Sequence, residues 1–133
     1  MSDPQAPLPQ EPHLHAVAVL GASPKPERYA NQAIRLLLEK GYRVLPIHPK
    51  IPHIEGLRVF PDLAAIGEPV HTLTLYVGPE RSLPLIPAIL ALRPGRVICN
   101  PGTESTPLEE ALTTQRIPCL HGCTLVMLKT RQF

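Results

Sequence analysis

The chain of 133 residues has few aromatic side chains, few cysteines and no long apolar run. It contains no tryptophan, and its aromatic content of 4% is too low for a surface on which nucleic-acid bases could stack. Three cysteines are an odd number, and no signal-peptide pattern precedes them, so we expect reduced thiols and no disulfide framework. No apolar stretch approaches the roughly eighteen residues that a membrane-spanning helix needs. These absences favour a cytoplasmic protein without a membrane role.

Charge is also scarce. The formal net charge is only +2 and the basic residues are scattered, which argues against a nucleic-acid partner and against a polybasic membrane surface. At this length we expect one domain with its own core and no separate substrate lobe. Residues 1–14 are rich in proline and lack apolar periodicity, so they predict a flexible tail ahead of a domain at 15–133.

The chain does contain an alternation of apolar strands and amphipathic helices. Strands are predicted at 16–20, 42–47, 72–77, 96–99 and 117–120. Helices are predicted at 30–40, 62–66 (capped by Asp62), 83–92 (with a late start or kink caused by two prolines) and 106–115 (capped by Thr106). Residues 48–58 are predicted as a loop, and those from Cys123 as a helical turn or an extended segment. The pattern indicates an α/β fold, a Rossmann-like doubly wound, mostly parallel five-stranded sheet with helices on both faces.

In such a sheet, ligands bind beyond the carboxyl ends of the strands, where the strand order reverses. Four segments fall at these ends, namely 21–29, 48–50, 76–80 and 100–103. The first segment offers Gly21 for close backbone approach, the Ser23 hydroxyl, and the cations Lys25 and Arg28. Cations beside the free amides of a helix N-terminus suit phosphate oxygens.

The exit from the second strand carries His48, Pro49 and Lys50 and no carboxylate. In dinucleotide-binding folds an acidic residue at this place binds the ribose hydroxyls, whereas a cation suits a phosphorylated ribose. Only Gly21 of the three usual glycines is present, so the glycine motif alone is weak. The residues leave a ligand with a phosphorylated ribose and an unliganded strand-to-helix turn open as interpretations.

Four ordered segments resemble the stand-alone CoA-binding domain proteins, whose fold also forms the N-terminal domain of the succinyl-CoA synthetase alpha subunit. The resemblance covers about residues 16–133. The segments that carry it are Val-Leu-Gly-Ala-Ser-Pro at 19–24, Gly-Tyr-Arg-Val-Leu-Pro-Ile-His-Pro-Lys at 41–50, Asn-Pro-Gly-Thr-Glu at 100–104 and Cys-Thr-Leu-Val-Met-Leu at 123–128.

The resemblance implies a set of CoA-contacting residues at the strand exits. The turn at Gly21 and its two cations would face the CoA phosphates, Pro49 and Lys50 would approach the phosphorylated adenosine, and the later segments would line the adenine or pantetheine arm. His48 stands where the family often has asparagine, which leaves its hydrogen-bonding role open. The full set is Gly21, Ala22, Ser23, Lys25, Arg28, Tyr29, His48, Pro49, Lys50, Tyr76, Val77, Asn100, Pro101 and Gly102.

Cysteine and histidine alternate near the C-terminus. Cys119, His121 and Cys123, with Cys99 on a neighbouring strand, are residue types that bind zinc. The usual two-residue spacer between paired cysteines is missing, however, and lone thiols often pack as small apolar groups, so we predict no metal site. Cys123 could instead form a mixed disulfide with the CoA thiol, although the sequence establishes nothing that would stabilise its thiolate.

No Ser-His-Asp order, paired carboxylate motif or metal-binding helix signature can be located, so no catalytic residue is predicted. We therefore expect a small CoA or acyl-CoA binding protein with a regulatory or adaptor role. The alternative is a small NADP-dependent oxidoreductase or another nucleotide-binding enzyme. Chain length favours the first, because dehydrogenases add a substrate-binding region. The apolar segment 125–128 would allow a homodimer or a partner enzyme, but it could equally close the core.

Overall fold

The structure, a computed structural model, describes residues 15–133. The tail predicted for residues 1–14 lies outside the described residues. The strands are β1 (Ala16–Leu20), β2 (Arg43–Ile47), β3 (His53–Ile54), β4 (Leu57–Arg58), β5 (Thr72–Leu75), β6 (Arg96–Cys99) and β7 (Cys119–His121). The helices are α1 (Tyr29–Glu39), α2 (Pro79–Ser82), α3 (Ile86–Leu92), α4 (Thr106–Thr114) and α5 (Thr124–Lys129), with 3₁₀ turns at Leu63–Ala65 and Leu83–Leu85. Over these residues no helix has the length and hydropathy to cross a bilayer.

Five parallel strands form the main sheet in the order β2-β1-β5-β6-β7. β1 lies between β2 and β5, where Ala18 is in register with Leu45 on one side and Leu73 on the other. The chain therefore leaves β1 toward one edge and returns to build the other edge from β5 onward. This reversal confirms the predicted doubly wound α/β fold and puts its switch point between β1 and β5.

Alternating residues of the strands feed two separate cores. In β1, Ala18 and Leu20 face a core with α3 and α4, whereas Val17 and Val19 face a core that includes residues of α1 and α5. All five residues of β1 are buried, because helices cover both faces of the sheet. The predicted arrangement of helices on both faces is confirmed.

The segment 48–58, predicted as a loop, instead contains the antiparallel hairpin β3-β4. Its two-residue turn has positive φ at both positions, 51° at Glu55 and 78° at Gly56, as hairpin turns of this length require. The loop prediction was wrong because strands of two residues are too short to show an alternating pattern.

The helical predictions hold with local corrections. Asp62 caps its 3₁₀ turn as predicted, accepting a hydrogen bond from the Ala65 amide at 2.9 Å. The helix predicted for 83–92 is broken into a 3₁₀ turn and α3, because its two prolines lack the amide hydrogen that a continuous helix needs. The cap of α4 is Ser105 and not Thr106, since the Ser105 hydroxyl accepts the Leu108 amide at 3.4 Å.

Two histidine rings stack at the amino-terminal edge of the sheet. His15 precedes β1 and His71 precedes β5, and their ring centroids lie 4.0 Å apart with the planes 5° from parallel. Burial, together with smaller effects of the charges of His15 and Arg96, lowers the pKa of His71 to about 4. Burial likewise lowers the pKa of His15.

The pKa of His71 makes the stability of the fold depend on pH. Because this pKa lies below the ordinary value of 6.5, the unfolded chain binds the proton before the folded chain does as pH falls. The contribution of neutral His71 to the free energy of unfolding is therefore complete above pH 6.5 and is lost as pH falls toward about 4. We expect the urea midpoint to fall over this window and to fall less in His71→Gln, measured by circular dichroism. The control is His53→Gln in the exposed hairpin; a His71→Gln slope equal to wild type would contradict the prediction.

Candidate functional site

A cleft of about 450 Å³ opens beyond the carboxyl ends of β1, β2 and β5, next to the switch point of the sheet. Nine of the residues predicted to contact a ligand line it: Gly21, Ala22, Ser23, Lys25, Arg28, His48, Pro49, Tyr76 and Val77. The other five predicted residues, Tyr29, Lys50, Asn100, Pro101 and Gly102, are not among its lining residues. The structure thus brings together the exits of three strands and leaves the exit of β6 outside the cleft.

Gly21 brings the turn after β1 against the end of β5. Its φ is +92°, and a Cβ atom placed on it would lie 2.9 Å from Val77 Cγ1 and 3.0 Å from the Tyr76 carbonyl oxygen. The Tyr76 amide donates to the Leu20 carbonyl at 2.8 Å, just before the segments that follow β1 and β5 diverge. Only glycine combines this backbone conformation with so close an approach.

The loop between Gly21 and α1 is held by hydrogen bonds of two side chains of α1, which the sequence did not suggest. Asn31 is fully buried, and its side-chain amide donates to the Ser23 carbonyl at 2.9 Å and to Glu55 Oε2 at 3.1 Å. Arg35 donates to Asn31 Oδ1 at 2.7 Å and to the Pro26 carbonyl at 2.8 Å. The loop conformation therefore depends on α1 and on the β3-β4 hairpin together.

Three cations line the cleft. Lys25 and Arg28 come from the loop before α1, and Arg81 comes from α2. All three side chains are exposed, and no carboxylate of residues 15–133 lies within ion-pair distance of them. Arg81 was not predicted as a site residue, because the predicted ligand-binding segment after the third strand ended one residue earlier, at Glu80. The three charges make the cleft suitable for an anionic ligand.

His48 closes the turn after β2. Its Nδ1 accepts hydrogen bonds from the amides of Lys50, at 3.0 Å, and Ile51, at 3.2 Å. An asparagine side chain makes the same kind of bond to the backbone that follows it, so His48 can replace asparagine here without changing the turn. The Lys50 side chain is exposed and is not among the residues that line the cleft.

The ring of Tyr76 forms part of the cleft wall, while its hydroxyl is buried. Burial raises the pKa of Tyr76 to about 12, against a smaller opposing effect of the Thr124 and Thr74 hydroxyls. Those two hydroxyls hydrogen-bond each other at 2.8 Å, and the Tyr76 hydroxyl meets no partner of residues 15–133 at hydrogen-bond geometry. The phenol therefore stays protonated and keeps a free donor.

Asn100 stabilises the sheet with its whole side chain. Its amide nitrogen donates to Thr74 Oγ1 and to the Leu75 carbonyl, both at 2.7 Å, and its amide oxygen accepts the Thr124 amide at 2.8 Å. It therefore connects β5, β6 and α5 in the buried interior. Contact of Asn100 with a ligand stays a prediction that these three bonds do not support.

The remaining predicted residues lie at the surface. Pro101 and Gly102 form an exposed turn, and Tyr29 is 71% exposed at the start of α1. Cys123 immediately precedes α5 and does not line the cleft. A second concavity of about 410 Å³ lies on the outer face of α4, but its lining includes Glu109 and Glu110 and no cation, so it does not suit a phosphate ligand.

The chain matches a protein family, solved structures and a curated protein. A family model described as "CoA binding domain" matches residues 15–129. A Thermus thermophilus protein, solved as cell-free ID.343, is 35% identical with a TM-score of 0.83, and the match covers 90% of each chain. The dinucleotide-forming acetyl-coenzyme A synthetase 1 of Candidatus Korarchaeum cryptofilum, solved with phosphate and ADP, is 25% identical with a TM-score of 0.67.

Some of these matches cover only part of the similar protein. The match to the synthetase covers 79% of this chain and 25% of that chain. An uncharacterised Bacillus subtilis protein, YneT, is 25% identical over 60 residues, which are 45% of this chain and 44% of that protein. The chain therefore matches less than half the length of this curated relative.

The contact at Gly21 predicts a specific loss of stability. We expect Gly21→Ala to lower the free energy of unfolding by roughly 2–4 kcal/mol, because strain at positive φ adds to the clash with Tyr76 and Val77. Gly56→Ala is the matched control, since Gly56 has φ +78° but nothing within 4 Å of its Cβ position. Equal losses in urea unfolding would show that the close approach contributes nothing.

Removal of the Asn100 amide should also destabilise the fold. Asn100→Ala leaves the Leu75 carbonyl and the Thr124 amide buried without partners, so we expect a loss of about 2–4 kcal/mol in chemical denaturation. Thr113→Ala on the exposed side of α4 serves as the control and should change stability by less than about 0.5 kcal/mol. A loss as small as that of the control would rule out the structural role assigned to Asn100.

Proposed function

Because the chain belongs to the CoA binding domain family, we propose that it binds CoA or an acyl-CoA in the cleft beyond β1, β2 and β5. The observation that carries this proposal is the composition of the cleft. A close backbone turn at Gly21, three cations and an apolar wall meet at the switch point of the sheet, where parallel α/β folds bind their ligands.

The phosphates of CoA are the groups that the cations would bind. CoA carries a pyrophosphate and a phosphate on its ribose, and Lys25, Arg28 and Arg81 offer positive charge around one cleft. α1 has no side-chain N-terminal cap and no acidic residue in its first turn, so the amides there keep their donors for an anion. Phosphate binding thus combines side-chain charge with helix amides.

The adenine ring and the pantetheine arm require apolar contact in addition. The apolar lining of the cleft comes from all three strand exits and from both neighbouring 3₁₀ turns. Its members are Leu20, Ile47, Ile51, Leu63, Val77 and Leu85, beside the ring of Tyr76. A long ligand with one charged end and one apolar arm suits this distribution.

The polar groups of the cleft favour binding over catalysis. Ser23 Oγ accepts the Lys25 amide at 3.1 Å, His48 Nδ1 accepts two amides, and Asp62 Oδ1 accepts the Ala65 amide. Groups that could act as a nucleophile or a base therefore hold the backbone instead. This supports a regulatory or adaptor protein that senses or presents CoA.

NADP is the second ligand that the cleft would suit. Its phosphorylated ribose needs a cation and no carboxylate after β2, and Lys50 follows β2 here. A hydride-transfer enzyme also needs a place for its second substrate. The match of the chain to the CoA binding domain family favours CoA over NADP.

Calorimetric titration separates the two ligands and tests the cations. We expect CoA to bind more tightly than NADP, and we expect Lys25→Ala, Arg28→Ala and Arg81→Ala each to weaken CoA binding roughly five- to tenfold. Arg58→Ala, an exposed cation outside the cleft lining, is the matched control and should bind as wild type.

A further comparison locates the ribose phosphate. If Lys50 contacts it, Lys50→Ala weakens CoA more than dephospho-CoA, and equal losses would remove this contact. Tight binding of NADP without binding of CoA at millimolar concentration would overturn the proposed function.

A further inference from the structure

A cluster of sulfur, nitrogen and oxygen ligands lies away from the cleft, at the β7 edge of the sheet. In the parallel register of β6 and β7, Val97 is opposite Cys119 and Cys99 is opposite His121. Because strand residues two apart share a face, Cys99, Cys119 and His121 lie on one face. That face packs on α4, which carries Glu109.

The ligand atoms of this cluster are close together. His121 Nε2 lies 2.9 Å from Glu109 Oε1, and the Sγ atoms of Cys99 and Cys119 are 3.4 Å apart. One ligand atom from each of Glu109, Cys119 and His121 lies within 4.8 Å of the other two. Cys123 is outside the cluster, because β7 ends at His121 and the chain turns into α5.

We propose that Cys119, His121 and Glu109 bind a soft divalent transition-metal ion such as Zn²⁺. Thiolate, imidazole and carboxylate are the three ligand types that zinc takes in proteins. Bond lengths of about 2.0–2.3 Å around a tetrahedral ion require ligand atoms about 3–4 Å apart, so small side-chain shifts bring these three atoms into place. The fourth position is open to water.

The sequence argument against a metal does not apply to this set. It rested on the spacing of Cys119 and Cys123, whereas the third ligand is a carboxylate from a different element. The Cys99 thiol is buried, and its Sγ atom lies within hydrogen-bond distance of the Cys119 sulfur, so Cys99 acts as a positioning residue for Cys119.

The protons and charges balance. The ion takes the place of the hydrogen between His121 Nε2 and Glu109 Oε1, and the Cys119 thiol gives up its proton. Binding releases the thiol proton to solvent. A cationic His121 also releases its Nε2 proton, whereas a neutral His121 carries its one ring proton on Nδ1. One thiolate and one carboxylate then neutralise the two charges of the ion.

Metal binding would attach β7 to α4. Within residues 15–133, β7 is an edge strand of three residues that pairs only with β6. An ion held by Cys119 and His121 on the strand and by Glu109 on the helix adds a second connection. The bound form should therefore unfold at a higher temperature than the metal-free form.

The test uses the full chain, reduced, stripped of metal and titrated anaerobically with Zn²⁺ and with Co²⁺. We expect one ion per chain, a cobalt-thiolate absorption band and a rise in the thermal midpoint. Cys119→Ser and His121→Ala should each lower the Zn²⁺ affinity at least about tenfold and remove the rise. Cys123→Ser is the matched control and should bind as wild type.

Three results would overturn the metal site. They are a cobalt complex without the thiolate band, variants of Cys119 and His121 that bind as wild type, and an equal loss in Cys123→Ser. Should Cys119→Ser fail to fold, Glu109→Gln and His121→Ala, at partly exposed side chains, carry the same test, with folding checked by circular dichroism. The outcome is independent of CoA binding.

Discussion

At Gly21 the backbone passes so close to Tyr76 and Val77 that a Cβ atom would stand 2.9 Å from a Val77 methyl carbon. This contact brings the ends of β1 and β5 together at the point where the sheet reverses its strand order. Beyond this contact the segments that follow β1 and β5 diverge, and the space between them is the cleft. The loop on one side then depends on Asn31, which holds it to the hairpin through Glu55.

Polar side chains around the cleft mainly hold the backbone. His48 closes the turn after β2, and, outside the cleft, Asn100 connects two strands to α5 with three hydrogen bonds. What remains free to meet a ligand is the charge of the three cations, the amides at the start of α1 and the apolar wall. Recognition by charge and shape is therefore the basis of the proposed binding of CoA.

Much of the fold and the position of the cleft could be predicted from the sequence. The main strands and helices carry strong periodic patterns, and ligands bind where the parallel strands end. The β3-β4 hairpin could not be predicted, since strands of two residues are too short to show an alternating pattern. Nor could the bond between Asn31 and Glu55, which joins residues 24 positions apart. The Cys-x-His-x-Cys pattern places Cys119 and His121 on one face correctly, but the partner Glu109 comes from α4 through tertiary packing alone.

The claim that the switch-point cleft binds CoA is tested most directly by mapping the ligand onto the backbone. Amide chemical shifts of the full chain, followed by NMR during a CoA titration, report every residue at once. Saturable changes should be largest at residues 21–28 and at Tyr76 and Val77, with the residues of α4 unchanged. Changes centred on α4, or shifts that do not saturate anywhere, would contradict the account.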